Sequence, residues 1–323
     1  MSEAPEDRIT NLPGSILHHI LSFVETRDAA RTCVLSKRWK YIWRSIPTLH
    51  FQCQSSSQSQ KFSLFISTNG PLNEPWIKNW ISTVISHNVE ELNLRLNHRD
   101  LVLMPESLCT CESLVTLTLS SSPNICFPKN ISFPRLESLG LTQVEFRDEC
   151  WYEQLFSNCP VLESLLMVSC TWSDMKSFCI SNPALKHLII VNADFRNCAL
   201  KIHAPRLEIL SYIGRVAKDY ILSSFPTLVK AYIKFFFEED GAMWEQMIDY
   251  GAVVSKFLQA LAHVANLRIS GPTLQVLSIA DGLLNNLPSF HNLRKLSLID
   301  EVTADKALIA LLETAPNLES VRI

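Results

Sequence analysis

A chain of 323 residues with a formal net charge of −3, 47% hydrophobic and 19% charged, has the composition of one or two globular domains, not of a disordered polypeptide. The slight acidity gives no reason to expect nucleic acid, no run approaches the roughly 18–20 apolar residues of a membrane span, and the opening MSEAPEDRIT has no signal-peptide core. The 10 cysteines, without a secretory signal, read as reduced thiols of the cytoplasm or nucleus, so the Asn130-Ile131-Ser132 sequon carries no expectation of glycosylation.

Charge is uneven along the chain. Residues 6–51 hold seven Lys/Arg against four Asp/Glu, a balance of +3, which leaves −6 for the rest. The same stretch carries more large apolar side chains than so short a segment can bury alone. Asn11-Leu12-Pro13 starts a helix, with proline in the first turn where its missing N–H costs little. Leu12, Ile16, Leu17, Ile20, Leu21 and Val24 follow at three- and four-residue steps and form one stripe. Thr26 is placed to cap a second, short helix in which Ala29, Ala30, Cys33 and Val34 are small enough for close packing. Ser36 caps a third, where Trp39, Ile42, Trp43 and Ile46 share a face until Pro47 ends it.

Asp7, Arg8, Ile9, Leu12 and Pro13, followed by Val34 to Trp39 as V-L-S-K-R-W, resemble the plant form of the F-box. The likeness covers about 45 residues in the right order and spacing, and places an F-box at 6–51. It implies binding to the Skp-type adaptor of an SCF ubiquitin ligase and, through that adaptor, to cullin. By position, Leu12, Pro13, Ile16 and Ile20 would face the adaptor. Val34, Leu35, Ser36, Trp39 and Trp43 would complete that surface or the small core behind it. Leu17, Leu21 and Cys33 read as core. Where the family usually has an acidic residue after the proline, this chain has Gly14, which loosens the helix start by up to about 1 kcal/mol relative to alanine.

Residues 52–60, QCQSSSQSQ, read as a flexible polar linker. A first strand is predicted over 61–67 and a helix from Glu74 to His87 with Trp76, Ile77, Trp80, Ile81 and Val84 on one side. From Val89 onward the pattern L-x-x-L-x-L-x-x-x-x-apolar recurs, as in Leu136, Leu139, Leu141 and Phe146, or Leu185, Leu188, Ile190 and Phe195. A second marker is Pro-x-Leu at Pro134, Pro160, Pro183, Pro205, Pro226, Pro272 and Pro316, with the last two steps near double length, as if one proline were lost in each. Periods of roughly 20–29 residues define leucine-rich repeats. The predicted fold class is therefore α/β: a small all-helical F-box, then a leucine-rich-repeat solenoid over 61–323 with a parallel inner sheet and helices and loops outside. Register breaks at Glu239 to His263, which is helical in character. After it, Val264–Ser270 is taken as the strand and Thr273–Leu284 as outer-face material. Many plant relatives of this type continue into a module called FBD, which this sequence lacks, so the apolar edge at Val321 and Ile323 is expected to be poorly covered.

No catalytic constellation emerges. There is no G-x-G-x-x-G, P-loop or C-x-x-C, and the regular spacing of Cys150, Cys159, Cys170 and Cys179 follows from the repeats. Cys170 occupies the buried Asn/Cys position of its repeat and is read as structural. No cofactor or metal is expected. If positions four and six of each repeat point inward, positions three, five and seven line the concave side, and there the surface changes from small polar to apolar. Leu166, Val168, His187, Ile189, Val191, Ile209 and Ile213 form the candidate strip for a target protein. Cations on the inner strands read as scattered, with only Arg95 and Lys295. The expected function is that of a non-catalytic substrate receptor. Alternatives are an F-box scaffold or inhibitor acting outside ubiquitin transfer, and an enzyme on a repeat scaffold, against which the missing constellation argues.

Overall fold

The computed structural model describes residues 12–14, 16, 17, 20, 32–34 and 39 of the N-terminal segment, then 48–56, 59–67, 74–97, 102–122, 125–128, 130–146, 151–237, 244–279, 281–300 and 305–322. Its frame is one 12-stranded sheet whose strands lie side by side in strict chain order. These are β1 (Thr48–Ser56), β2 (Ser59–Ser67), β3 (Glu91–Asn97), β4 (Thr116–Ser122), β5 (Ser138–Thr142), β6 (Ser164–Val168), β7 (His187–Ala193), β8 (Ile209–Arg215), β9 (Lys230–Phe236), β10 (Asn266–Ser270), β11 (Lys295–Ile299) and β12 (Ser320–Arg322). All neighbours from β2 onward are parallel, the arrangement expected of stacked repeats.

The inner apolar pair of each repeat builds the core. Leu139 and Leu141, Leu165 and Met167, Leu188 and Ile190, and Leu210 and Tyr212 are all buried. Each such side chain contributes roughly 1.5–3 kcal/mol when fully buried, and does so only because the next repeat covers it. Outside the sheet run short strands and helices: α1 (Glu74–Ile85), α2 (Trp151–Ser157), α3 (Trp244–Gln259), α4 (Gly271–Leu277) and α5 (Asp305–Glu313). In α1, Ile77, Ile81 and Val84 are the buried face, at the spacing of one helical stripe. Between the inner sheet and the outer layer an aromatic chain links successive repeats. Trp172 lies 5.3 Å from Phe178 and 3.6 Å from Phe195, and Tyr212 lies 5.2 Å from Phe235 and 5.7 Å from Phe257.

Leaving their strands, Gln143, Ser169 and Asp300 take positive φ of 55°, 51° and 67°, and Asn192 at 53° does the same at the end of β7. That conformation turns the chain off the sheet while the ladder continues, the Gln143 amide donating to the Val168 carbonyl and the Ser169 amide to the Val191 carbonyl, both at 2.8 Å. Asn192 also sits in a register shift between Val191 and Ala193. Gly214 faces that bulge, and a Cβ there would stand 2.6 Å from the Ala193 carbonyl oxygen, so only glycine fits the close approach.

Two expectations change here. Residues 52–60 are not a flexible linker. Residues 52–56 and 59–60 lie in strands β1 and β2, paired antiparallel from Thr48 opposite Ser67 to Ser56 opposite Ser59. Strand pairing uses main-chain groups, which Ser and Gln supply as well as any residue. Pro272 is not a repeat marker. It lies in the first turn of α4 behind Ser270, whereas the other repeat prolines stand just before strands. Prolines are lost ahead of β10 and β11, where Ala262 and His291 stand, but the spacing is not one of regular double steps: β9, β10 and β11 begin at Lys230, Asn266 and Lys295, two long steps of 36 and 29 residues. Helix α3 fills the first of them, and α4 and a short helix at Asp281–Leu284 fill the second. The strand expected over Val264–Ser270 is present as Asn266–Ser270, and the helices Gly271–Leu277 and Asp281–Leu284 lie outside the inner sheet as expected. A buried hydroxyl pair pins this insertion: Ser270 Oγ and Thr273 Oγ1 are 2.7 Å apart, and Thr273 Oγ1 accepts the Phe235 amide at 3.1 Å.

Candidate functional site

The helix opening at Pro13 is a true helical turn, with the Leu17 amide donating to the Pro13 carbonyl at 3.1 Å. One face of it is outward. Ile16 is 44% and Ile20 40% exposed, Pro13 is exposed and Leu12 is partly so, while Leu17 between them is fully buried. Bulky β-branched residues at i and i+4 on the solvent side of a helix, backed by a buried leucine, form an exposed apolar stripe. Trp39 is buried, at 3% exposed, and its indole N–H has no acceptor among the described residues. Val34 sits in a 3-10 turn, Thr32–Val34, and is 84% exposed. So exposed a side chain is not closely packed among its neighbours and lies at the surface. Leu35, Ser36 and Trp43 lie outside the described residues.

The concave face is set by the sheet register, which lines outward side chains of neighbouring strands into three rows. The middle row runs Leu166, Ile189, Ser211, Tyr232, Arg268, Ser297 and Arg322. Flanking it on one side are His187, Ile209 and Lys230, and on the other Val168, Val191, Ile213 and Lys234. All seven residues of the expected apolar strip therefore come together on three adjacent strands, β6 to β8. Leu166 is exposed, and the other six are half-buried. Helix α3 does not cover them: it packs against α4 and the outer strand Asp219–Leu222, to which Lys256 adds a 2.6 Å ion pair with Asp219.

The cations of the inner strands are not scattered. With β10 to β12 in register beside β9, Lys230, Lys234, Arg268, Lys295 and Arg322 occupy one end of the concave face. Lys234 pairs with Asp300 at 2.9 Å and lies 6.0 Å from the Phe236 ring, and Arg268 lies 5.1 Å from the Tyr232 ring. Sequence periodicity misses this group because the steps of 36 and 29 residues hide which residues of β9, β10 and β11 are neighbours.

The buried thiols are not prepared as nucleophiles. Burial pushes the Cys109 and Cys159 thiols up to about 12 and those of Cys170 and Cys198 to about 11, so each is protonated at neutral pH. Cys170 is buried, and its thiol donates weakly to the Leu141 carbonyl at 3.5 Å, a structural role. Asn182 does similar work more strongly. Buried ahead of β7, its amide nitrogen donates to the carbonyls of Phe156 at 2.8 Å and Cys159 at 2.9 Å, and its side-chain oxygen accepts the Ala184 amide at 2.9 Å. Among the described residues no group of three His, Cys, Asp or Glu is placed to hold a metal ion, and no helix is long and apolar enough to cross a membrane.

Residues 9–51 match the F-box domain family, and residues 77–230 match the family described as FBD-associated F-box protein At5g56370, LRR repeats. Over 98% of its length the chain is 30% identical to the FBD-associated F-box protein At4g13985 of Arabidopsis thaliana, covering 76% of that protein. It is 28% identical to the F-box/LRR-repeat protein At4g14096, over 98% of this chain and 72% of that one. With the F-box/LRR-repeat protein At3g59190 it shares 27% identity over 99% of its length and 93% of the relative's. Both are from the same plant.

Proposed function

The chain belongs to the plant F-box/leucine-rich-repeat family, and from that membership we propose that it is the substrate-recognition subunit of an SCF-type ubiquitin ligase. Its F-box holds the Skp-type adaptor, its concave face holds a target protein, and cullin is reached through the adaptor. The protein acts in the cytoplasm, the nucleus or both. It performs no bond chemistry itself. By binding two partners at once it raises the effective concentration of the target at the transfer machinery.

The observation that carries the adaptor half is the outward stripe of the first helix, where Ile16 and Ile20 stand exposed over a buried Leu17. An apolar helix face of this kind is the usual substrate for helix-in-groove or helix-on-helix recognition. The test is a pull-down with the Skp-type adaptor, comparing the natural chain with the double variant Leu12→Ala, Pro13→Ala. The variant is expected to lose the adaptor while the array keeps its unfolding midpoint. Undiminished capture would return the stripe to ordinary surface. Ubiquitin transfer to a co-purified target then separates a substrate receptor from an adaptor-bound scaffold or inhibitor, which would bind both partners and transfer nothing.

A further inference from the structure

From the charge pattern of the concave face we infer that the target is held through an acidic, extended segment, its carboxylates or phosphates seated on β9 to β12 and its apolar residues on β6 to β8. The inference rests on the reading of the repeats as the target-binding half. From β4 to β12 the three concave rows hold Lys230, Lys234, Arg268, Lys295 and Arg322, and among the described residues of those rows there is no Asp or Glu. That is a sharp local asymmetry in a chain whose total charge is −3.

The spacing makes the five cations one group. Lys230 and Lys295 stand two strands apart in one row, as do Arg268 and Arg322 in the next. That is roughly 9–10 Å, with about 6.6 Å between rows. These separations are near the ~8 Å Debye length at physiological salt, so the charges add their fields instead of acting singly. Only Lys234 has an acidic partner, Asp300, while Lys230, Arg268, Lys295 and Arg322 are exposed and pair with no carboxylate among the described residues. Arg268 is steadied by the Tyr232 ring, which fixes its guanidinium at the centre of the group. A like-charged cluster that the protein leaves uncompensated repels itself until an anionic partner arrives. The apolar strip directly beside it favours a segment that brings greasy residues as well as negative charge, which a simple anion does not. Rows running across parallel strands offer such a segment side-chain contacts roughly every 4.8 Å.

The test is fluorescence anisotropy with the full chain and a labelled peptide of repeated Glu-Glu-Leu triplets, using repeated Lys-Lys-Leu as the sign control. The acidic peptide is expected to bind and the basic one not, and binding should weaken as added salt shortens the Debye length to about 3 Å at 1 M. Lys230→Glu, Arg268→Glu, Lys295→Glu together should weaken it about tenfold or more, and the milder Lys→Gln and Arg→Gln set should weaken it less. Lys218→Glu, an exposed cation off this face, should leave it unchanged. Equal binding by the natural and charge-reversed chains, both with unchanged urea midpoints, would overturn the inference. So would displacement by charge-matched tripolyphosphate as readily as by unlabelled peptide, or tighter binding of a single-stranded RNA. Adaptor pull-down from the same preparations keeps the two readings apart. Failure of the peptide with the adaptor retained defeats this inference alone, and loss of the adaptor with the peptide still bound defeats the receptor reading alone.

Discussion

Replacing Asn182 by alanine should destabilise the array by on the order of 3 kcal/mol, from the loss of three hydrogen bonds to main-chain groups at 2.8–2.9 Å. The three partners do not weigh equally. Cys159 O keeps the Leu162 amide at 3.1 Å, and the Ala184 amide is only partly buried, so each of these costs about 1 kcal/mol or less. Phe156 O ends helix α2 under cover of the Asn182 side chain and loses nearly the full price of a buried acceptor, about 1–3 kcal/mol. A small cavity adds the remainder. Urea unfolding is the assay, with the shift in midpoint at constant slope giving the difference. Asn182→Asp supplies an internal check. A carboxylate there would face two carbonyl oxygens, so its folded-state pKa would be raised above the ordinary ~3.9. The resulting penalty is absent below that value, grows as pH rises through the folded-state pKa, and is full above it. The aspartate variant should thus become less stable than the alanine variant as pH rises toward neutrality. A cost below about 1 kcal/mol for alanine, or an aspartate variant indifferent to pH, would refute the assignment of this side chain as a buried fastener of the repeat ahead of β7.

Charging the apolar strip by Ile189→Asp and Val191→Lys should abolish capture of the target while adaptor binding and the unfolding midpoint survive; persistent capture by the folded double variant, read in a co-purification assay, would remove the strip from the interface. Gly214→Ala places a Cβ 2.6 Å from the Ala193 carbonyl oxygen and should cost about 2 kcal/mol or more in the same urea assay, since the obstacle is backbone. The thiols of Cys109, Cys159, Cys170 and Cys198, raised by burial to about 11–12 from an ordinary 9.0, should resist a thiol reagent at neutral pH until the chain is unfolded. A raised pKa means the unfolded chain gives up its protons first, so this contribution is intact below pH 9 and is lost between about 9 and 12, which an alkaline unfolding series measures.

The repeats were readable because their physics is written locally. Leu139, Leu141, Leu188 and Ile190 each announce an inward pair at a fixed offset, and the alternation of a strand then dictates which residues lie on the concave face. The first-helix stripe was readable for the same reason, with Leu17 falling on the inner side of a 3.6-residue period that puts Ile16 and Ile20 outside. What periodicity cannot supply is register across an irregular insertion. Lys230, Arg268 and Lys295 are neighbours only because α3 and α4 loop out between their strands, and no count along the chain reveals that. Pro272 misled for a related reason: proline is equally at home before a strand and in the first turn of a helix. Asn182 carries little local signal either, because two of its three partners are main-chain carbonyls more than 20 residues away.

The hairpin β1–β2 has a further consequence, for association between molecules. A solenoid sheet has two open ends, and an uncovered parallel strand such as β2 would offer a second chain a template for pairing. Here that end is occupied by β1, running in the opposite direction and spelled largely in serine and glutamine through residues 52–56. A polar strand of reversed direction is a poor template for another leucine-rich edge, so the segment that looks least structured should disfavour end-to-end polymerisation. Fragments of the array that begin after residue 58 would expose the Phe62 and Leu64 strand along its whole length and should self-associate, while those that begin before Thr48 should not.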